Sequence, residues 1–146
     1  MSRDLIFVPV LVQVLLTLGV YVRLIKVKIR AMKAGEVDMA RRALHEDAWP
    51  ESVLQINNNI RNQFELPVLF YVMSFSLWAL DSVHWPALAA ASLFVLSRIA
   101  HAYFHLGSNY VPNRRRAFTV GWWVLAAMAL LVALELVKRA MGAGPV

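Results

Sequence analysis

The chain has 146 residues, enough for one domain, with 60% hydrophobic and only 16% charged residues and a mean hydropathy of +0.56. Soluble domains carry about 25% charged residues, so the composition argues against a water-soluble globule. The net charge of +6 does not point to nucleic acid, because the basic residues flank apolar segments, and the absence of cysteine excludes a disulfide framework and any thiol supplied by the protein itself.

The first apolar run, Leu5–Val22, holds 18 residues without a charge. A spanning helix needs about 20 mostly apolar residues. Arg3 before an apolar core resembles a signal peptide, yet the run is longer than a usual signal core and no small-x-small cleavage site follows. It is expected to be a retained first helix, roughly 5–30. Its amphipathic continuation carries Arg23, Lys26 and Arg30 on one face. A long charged connection then runs from Lys33 to Pro50.

Pro50 suits the start of a second helix, expected over roughly 52–80. Its apolar part, Leu66–Leu80, has 15 residues, so the helix must borrow length from the polar stretch QINNNIRNQFE before it. A charge near the bilayer centre costs about 2.5–3.5 kcal/mol on insertion scales. Such groups must face one another, water or a polar ligand. Gln55, Asn58, Asn62 and Glu65 are spaced to share one helix face, and Arg61 and Glu65 are spaced to pair. The alternative is that these groups only join helices by amide hydrogen bonds or lie in the headgroup layer.

A short turn at Asp81–His84 makes the second and third helices antiparallel neighbours. The third, expected over 85–108, opens at Pro86 and carries Arg98, His101 and His105 on one face. Arg98 lies at membrane depth and needs an acidic partner or an anionic ligand, with Glu65 the internal candidate. His101 and His105 have the spacing of a metal pair, but two histidines fall short of the three protein ligands of catalytic zinc, so no metal is expected. Turn residues at Gly107–Asn113 lead to the triplet Arg114–Arg116 and a fourth helix, expected over 117–138. A short flexible tail is expected from Gly142 to Val146.

The first and third connections carry ten basic residues against three on the opposite side. The positive-inside rule then puts those connections in the cytoplasm and both termini outside. The expected fold class is therefore an all-α, integral membrane four-helix bundle in a single domain. Membrane lipids are its expected surroundings and nucleic acid is not an expected partner.

The segment Arg61-Asn62-Gln-Phe-Glu65-Leu-Pro67-Val-Leu-Phe70, then Arg98-Ile-Ala-His101, then the arginine cluster before the fourth helix resemble, in that order, the MAPEG family: membrane-associated proteins in eicosanoid and glutathione metabolism. The resemblance covers nearly the whole chain and is nearest the family's bacterial branch. It implies a homotrimer, here of a bacterial inner membrane, with glutathione as cosubstrate bound between subunits near the cytoplasmic side. Asn62 and Glu65 match the family's glutathione-contacting Asn and Glu, Arg98 and His101 its helix-3 Arg and His, and Arg114 its thiolate-activating arginine, with Arg115 and Arg116 as alternative registers. Asn58 stands where glutathione-using members have an arginine, and His105 where they have a tyrosine.

The resemblance makes a glutathione-dependent transferase or peroxidase the leading expectation, acting on a small hydrophobic electrophile from the bilayer. Arg114 would be its catalytic residue. Asn58, Arg61, Asn62, Glu65, Arg98, His101 and His105 would form the binding set. The alternatives are a non-catalytic membrane protein binding a lipid headgroup or other anion, and a proton or ion path through Glu65, His101 and His105.

Overall fold

The computed structural model describes residues 1–142; the tail expected beyond Gly142 lies outside the described residues. Five α-helices follow in order: α1 (Phe7–Lys33), α2 (Glu51–Gln63), α3 (Leu66–Ala79), α4 (Trp85–Leu106) and α5 (Val111–Ala140). Short 3₁₀ turns at Arg3–Ile6 and Glu46–Ala48 precede α1 and α2. No strand occurs among the described residues.

Local chemistry explains where the helices stop and start. Pro67, Pro86 and Pro112 sit in the first turns of α3, α4 and α5, where the missing N–H costs nothing. Helix α1 ends at Gly35 with φ +71°, and α3 ends at Asp81 with φ +55°. In each case the next residue's N–H returns to the helix, Glu36 to Ala31 O and Ser82 to Leu77 O, closing the end carbonyls.

The expected second helix is not continuous. It breaks at Phe64–Glu65 into α2 and α3. Proline at 67 has no N–H for the carbonyl of residue 63, and its ring would clash with that carbonyl in an unbroken helix. The fourth expected helix starts earlier than 117, at Val111, so the arginine triplet lies within it rather than before it.

Helix α4 packs along α5, α1 along α2, and α3 along α5. One apolar core joins Ile6, Phe70, Leu77, Phe94 and Met128, with the Phe70 and Phe94 rings stacked at 4.5 Å. A second, at the end carrying the long first connection, joins Val20, Leu24, Val37, Val53 and Ile56. Helices α4 and α5 approach closely at Gly121, where a Cβ would lie 2.7 Å from Ser97 Oγ.

Three helical segments are long and apolar enough to cross a membrane: Arg3–Lys33, Trp85–Leu106 and Val111–Ala140. Helix α3, with 14 residues, rises only about 21 Å and needs the preceding α2 to complete a crossing. Leu11, Leu15, Leu18, Trp123 and Leu130 all point outward. Apolar side chains on so much of the surface suit hydrocarbon rather than water.

Candidate functional site

The site begins at the break. Within an unbroken helix the Asn62 carbonyl would accept from Leu66 N–H. With the helix interrupted, it accepts instead from Arg98 Nη2 across 2.9 Å. Arg98 is fully buried, and its Nε and Nη1 have no hydrogen-bond partner. Its guanidinium carbon lies 5.7 Å from the Phe118 ring centroid, over the ring face. A cation so enclosed, with two donors unspent, is costly unless an anion lies near it.

His101, one turn along α4, faces the first turns of α5. Its Nδ1 lies 3.1 Å from the Arg114 carbonyl oxygen. A carbonyl only accepts, so Nδ1 carries the hydrogen. That leaves Nε2, which is buried and without a partner. The Arg114 side chain is held from the other side, where Nη1 donates to Asn109 Oδ1 at 2.8 Å. Asn109 adopts φ +51°, a left-handed conformation that Asn tolerates and that brings its amide back under the arginine.

Asn62, His101 and Arg114 border a cavity of about 270 Å³ together with Val111, Arg115 and Phe118, while Arg98 is not among its lining residues. Arg114 and Arg115 are thus the triplet members on the cavity, and Arg116 is not among its lining residues. One turn further along α5 comes an apolar groove of about 320 Å³, with Leu66, Leu69 and Met73 facing Trp122, Leu125 and Ala129. Phe118 and Trp122 stand one turn apart, so the polar cavity and the apolar groove follow each other along the same helices.

Other expected members lie elsewhere. Glu65 is exposed in the break and forms an ion pair with neither Arg98 nor Arg61. The geometric reason is that Glu65 caps α3 in a non-helical conformation, so the i, i+4 spacing from Arg61 no longer places the two side by side. Arg61 pairs with Glu46 of the first connection and donates to Asn58 Oδ1 at 3.5 Å. Asn58 is exposed, and its carbonyl accepts from Asn62 Nδ2 at 2.7 Å. His105 is buried behind His101, with ring centroids 5.5 Å apart, and its carbonyl accepts from Gln55 Nε2 at 2.6 Å. His105 Nδ1 has no partner. The structure therefore brings Asn62, Arg98, His101, His105 and Arg114 together, while Asn58, Arg61 and Glu65 are exposed and are not among the residues lining the cavity. Among the described residues no three metal-ligating side chains gather.

A second polar cluster escaped the sequence reading. Gln13 of α1 donates through Nε2 to Gln63 Oε1 at 2.8 Å, and Gln63 Nε2 donates to Asn59 Oδ1 at 3.1 Å. All three are closed to solvent. The signal was present: Val53, Ile56 and Ile60 mark the core face of α2, and Asn59 and Gln63 fall on that face. Gln13 is the amide inside the first apolar run. The stripe of Gln55, Asn58 and Asn62 lies on the other side of the same helix.

The family model for the MAPEG family matches residues 6–134. No curated protein and no solved structure matches the chain.

Proposed function

The chain belongs to the MAPEG family, and from that premise we propose that it is a membrane-bound glutathione-dependent transferase or peroxidase acting on a hydrophobic electrophile. It is an integral membrane protein of the family of glutathione and eicosanoid metabolism. The observation that carries the reading is the buried Arg98 with two unspent donors, bonded to Asn62, which lines a cavity together with His101, Arg114 and Arg115.

The chain lacks cysteine, so a thiol nucleophile must come with the cosubstrate. A thiol held in this cavity meets the charges of Arg114 and Arg115 at the N-terminal end of α5, whose dipole adds positive potential. Both favour thiolate over thiol. His101 holds the Arg114 backbone, which keeps the arginine in place without a rearrangement during the reaction. The apolar groove one turn along α5 offers space for a bilayer-soluble acceptor beside the thiolate. Attack forms a carbon–sulfur bond and expels the acceptor's leaving group with the bonding electrons. The exposed Arg61 and Glu65 supply a cation and an anion for the carboxylates and the amine of glutathione, once Arg61 exchanges Glu46 for the ligand.

The same reading carries a homotrimer, in which glutathione lies between neighbouring subunits, and a bacterial inner membrane location with the first and third connections in the cytoplasm. Ten basic residues on those connections and on the helix ends beside them support the orientation.

The test is a glutathione titration of the detergent-purified protein, following thiolate absorbance with and without an aryl halide acceptor. Saturable thiolate formation and conjugate release are expected. A folded protein that does neither rules the enzyme out. The second reading, a non-catalytic anion-binding protein of the same fold, is favoured by Asn58, a neutral residue at a position where a further cation would strengthen carboxylate binding. It predicts glutathione or another anion bound without conjugation.

A further inference from the structure

A second cavity, larger than the one between Asn62 and Arg114, is present. It lies between α1 and α2, encloses about 350 Å³, and is lined by Arg23, Arg30, Glu36 and Ser52 over an apolar floor that includes Val27 and Ile56. Among the described residues, Arg23, Arg30 and Glu36 join no ion pair. Arg23 Nη2 donates to the Leu106 carbonyl at 2.7 Å, which fixes its guanidinium at the cavity and leaves its other N–H groups free. Two cations thus share a pocket with one carboxylate, a hydroxyl and an apolar base.

Its depth is informative. The 18 uncharged residues Leu5–Val22 rise about 27 Å, close to the roughly 30 Å hydrocarbon core. Arg23 therefore stands where the core ends. Arg30, seven residues later, lies about 10 Å further along the helix, just past the headgroup layer of about 5–7.5 Å, and its side chain leans back toward that layer because helical side chains tilt to the N-terminus. The cavity spans the layer in which lipid phosphates sit. Arginine binds phosphate through paired N–H donors, and Val27 and Ile56 suit the glycerol and the first acyl carbons.

We propose that this cavity is a seat for the phosphate of an anionic phospholipid, with Arg23 and Arg30 as its cations and the Ser52 hydroxyl as a further donor. Glu36 sets an upper limit on ligand charge and disfavours doubly charged soluble phosphate. The seat is separate from the Arg98–Arg114 site. It touches that region through Gln55, which lines the cavity and holds the His105 carbonyl.

The test uses the detergent-purified full chain and dihexanoyl phosphatidylglycerol below its micellar concentration, reading the thermal unfolding midpoint against lipid concentration. A saturable rise is expected with phosphatidylglycerol and none with the matching phosphatidylcholine. Arg30→Gln is expected to raise the half-saturating concentration about tenfold, the size of one lost charge-assisted hydrogen bond. Arg116→Gln, the same charge change on α5 at the same end of the bundle, is expected to leave it unchanged. Glutathione titration of Arg30→Gln should match wild type, so failure here is distinct from failure of the enzyme reading. Equal responses to the two lipids, or equal losses in Arg30→Gln and Arg116→Gln, overturn the seat in favour of general surface charge. A full shift by inorganic phosphate alone overturns the lipid as occupant.

Discussion

Arg98 Nη2 donates to the Asn62 carbonyl at 2.9 Å, and that carbonyl is free to accept because the helix breaks two residues later. A buried cation in α4 and a proline in α3 are thereby parts of one device. Pro67 interrupts the helix, the interruption exposes a backbone acceptor, and the acceptor holds the arginine.

Replacing Pro67→Ala restores an N–H at 67 and removes the ring clash. The break is expected to close in part, with Leu66 N–H competing for the Asn62 carbonyl. The Leu66 amide should gain hydrogen-exchange protection, and glutathione affinity should fall about tenfold as Arg98 loses its anchor. Unchanged exchange at Leu66 together with unchanged affinity would show that proline is not the cause.

Gln13→Leu tests the amide ladder. It removes an interhelical bond of a kind worth about 0.6 kcal/mol on average in membranes. It also leaves Gln63 Oε1 buried without a donor, at a cost of about 1–3 kcal/mol. A net loss of about 1–2 kcal/mol is expected in reversible unfolding in mixed micelles. A variant as stable as wild type would mean that Gln63 finds another donor and that the ladder does not hold α1 to α2.

At the crossing of α4 and α5, a methyl group at position 121 would meet Ser97 Oγ at 2.7 Å. Gly121→Ala should destabilise by about 1–3 kcal/mol through overpacking. The obstruction is a single hydroxyl oxygen, so Ser97→Ala in the same chain should restore most of the loss. Thermal unfolding of the two single variants and the double variant forms the cycle. Additive losses, with no rescue, would place the strain elsewhere.

Arg114 and Arg116 separate site from surface charge. Arg114 lines the cavity and is held by Asn109 and by His101, whereas Arg116 is exposed. Arg114→Ala should abolish the thiolate absorbance of bound glutathione and lower conjugation roughly 10–100-fold. Arg116→Ala should keep both within about twofold, as surface charge changes usually have small effects. Equal losses in the two variants would assign the effect to the general positive potential of this end of the bundle.

Much of the fold was legible from residue patterns. Uncharged runs of membrane length identify the crossings, and a helix's apolar face depends on periodicity about its own axis, which sequence carries directly. The order of Asn62, Glu65, Arg98, His101 and Arg114 was enough to show the family resemblance, and the family match over residues 6–134 agrees with it. The pairing of polar atoms was not legible in the same way. Arg61 was expected beside Glu65 and instead meets Glu46 on the returning first connection. Glu65 was expected beside Arg98, and a backbone carbonyl took its place.

Residue order and composition are enough to establish that this chain enters a membrane, how its helices follow one another, and which polar residues are too expensive to leave without a purpose. The docking of the helices adds where the second helix breaks, that Gln13 closes on Gln63 from 50 residues away, and that Arg114 and Arg115 rather than Arg116 line the cavity. The physical reason is reach. Periodicity is a property of neighbours along the chain, whereas a hydrogen bond is fixed within a few tenths of an ångström by the docking of helices that sequence separates.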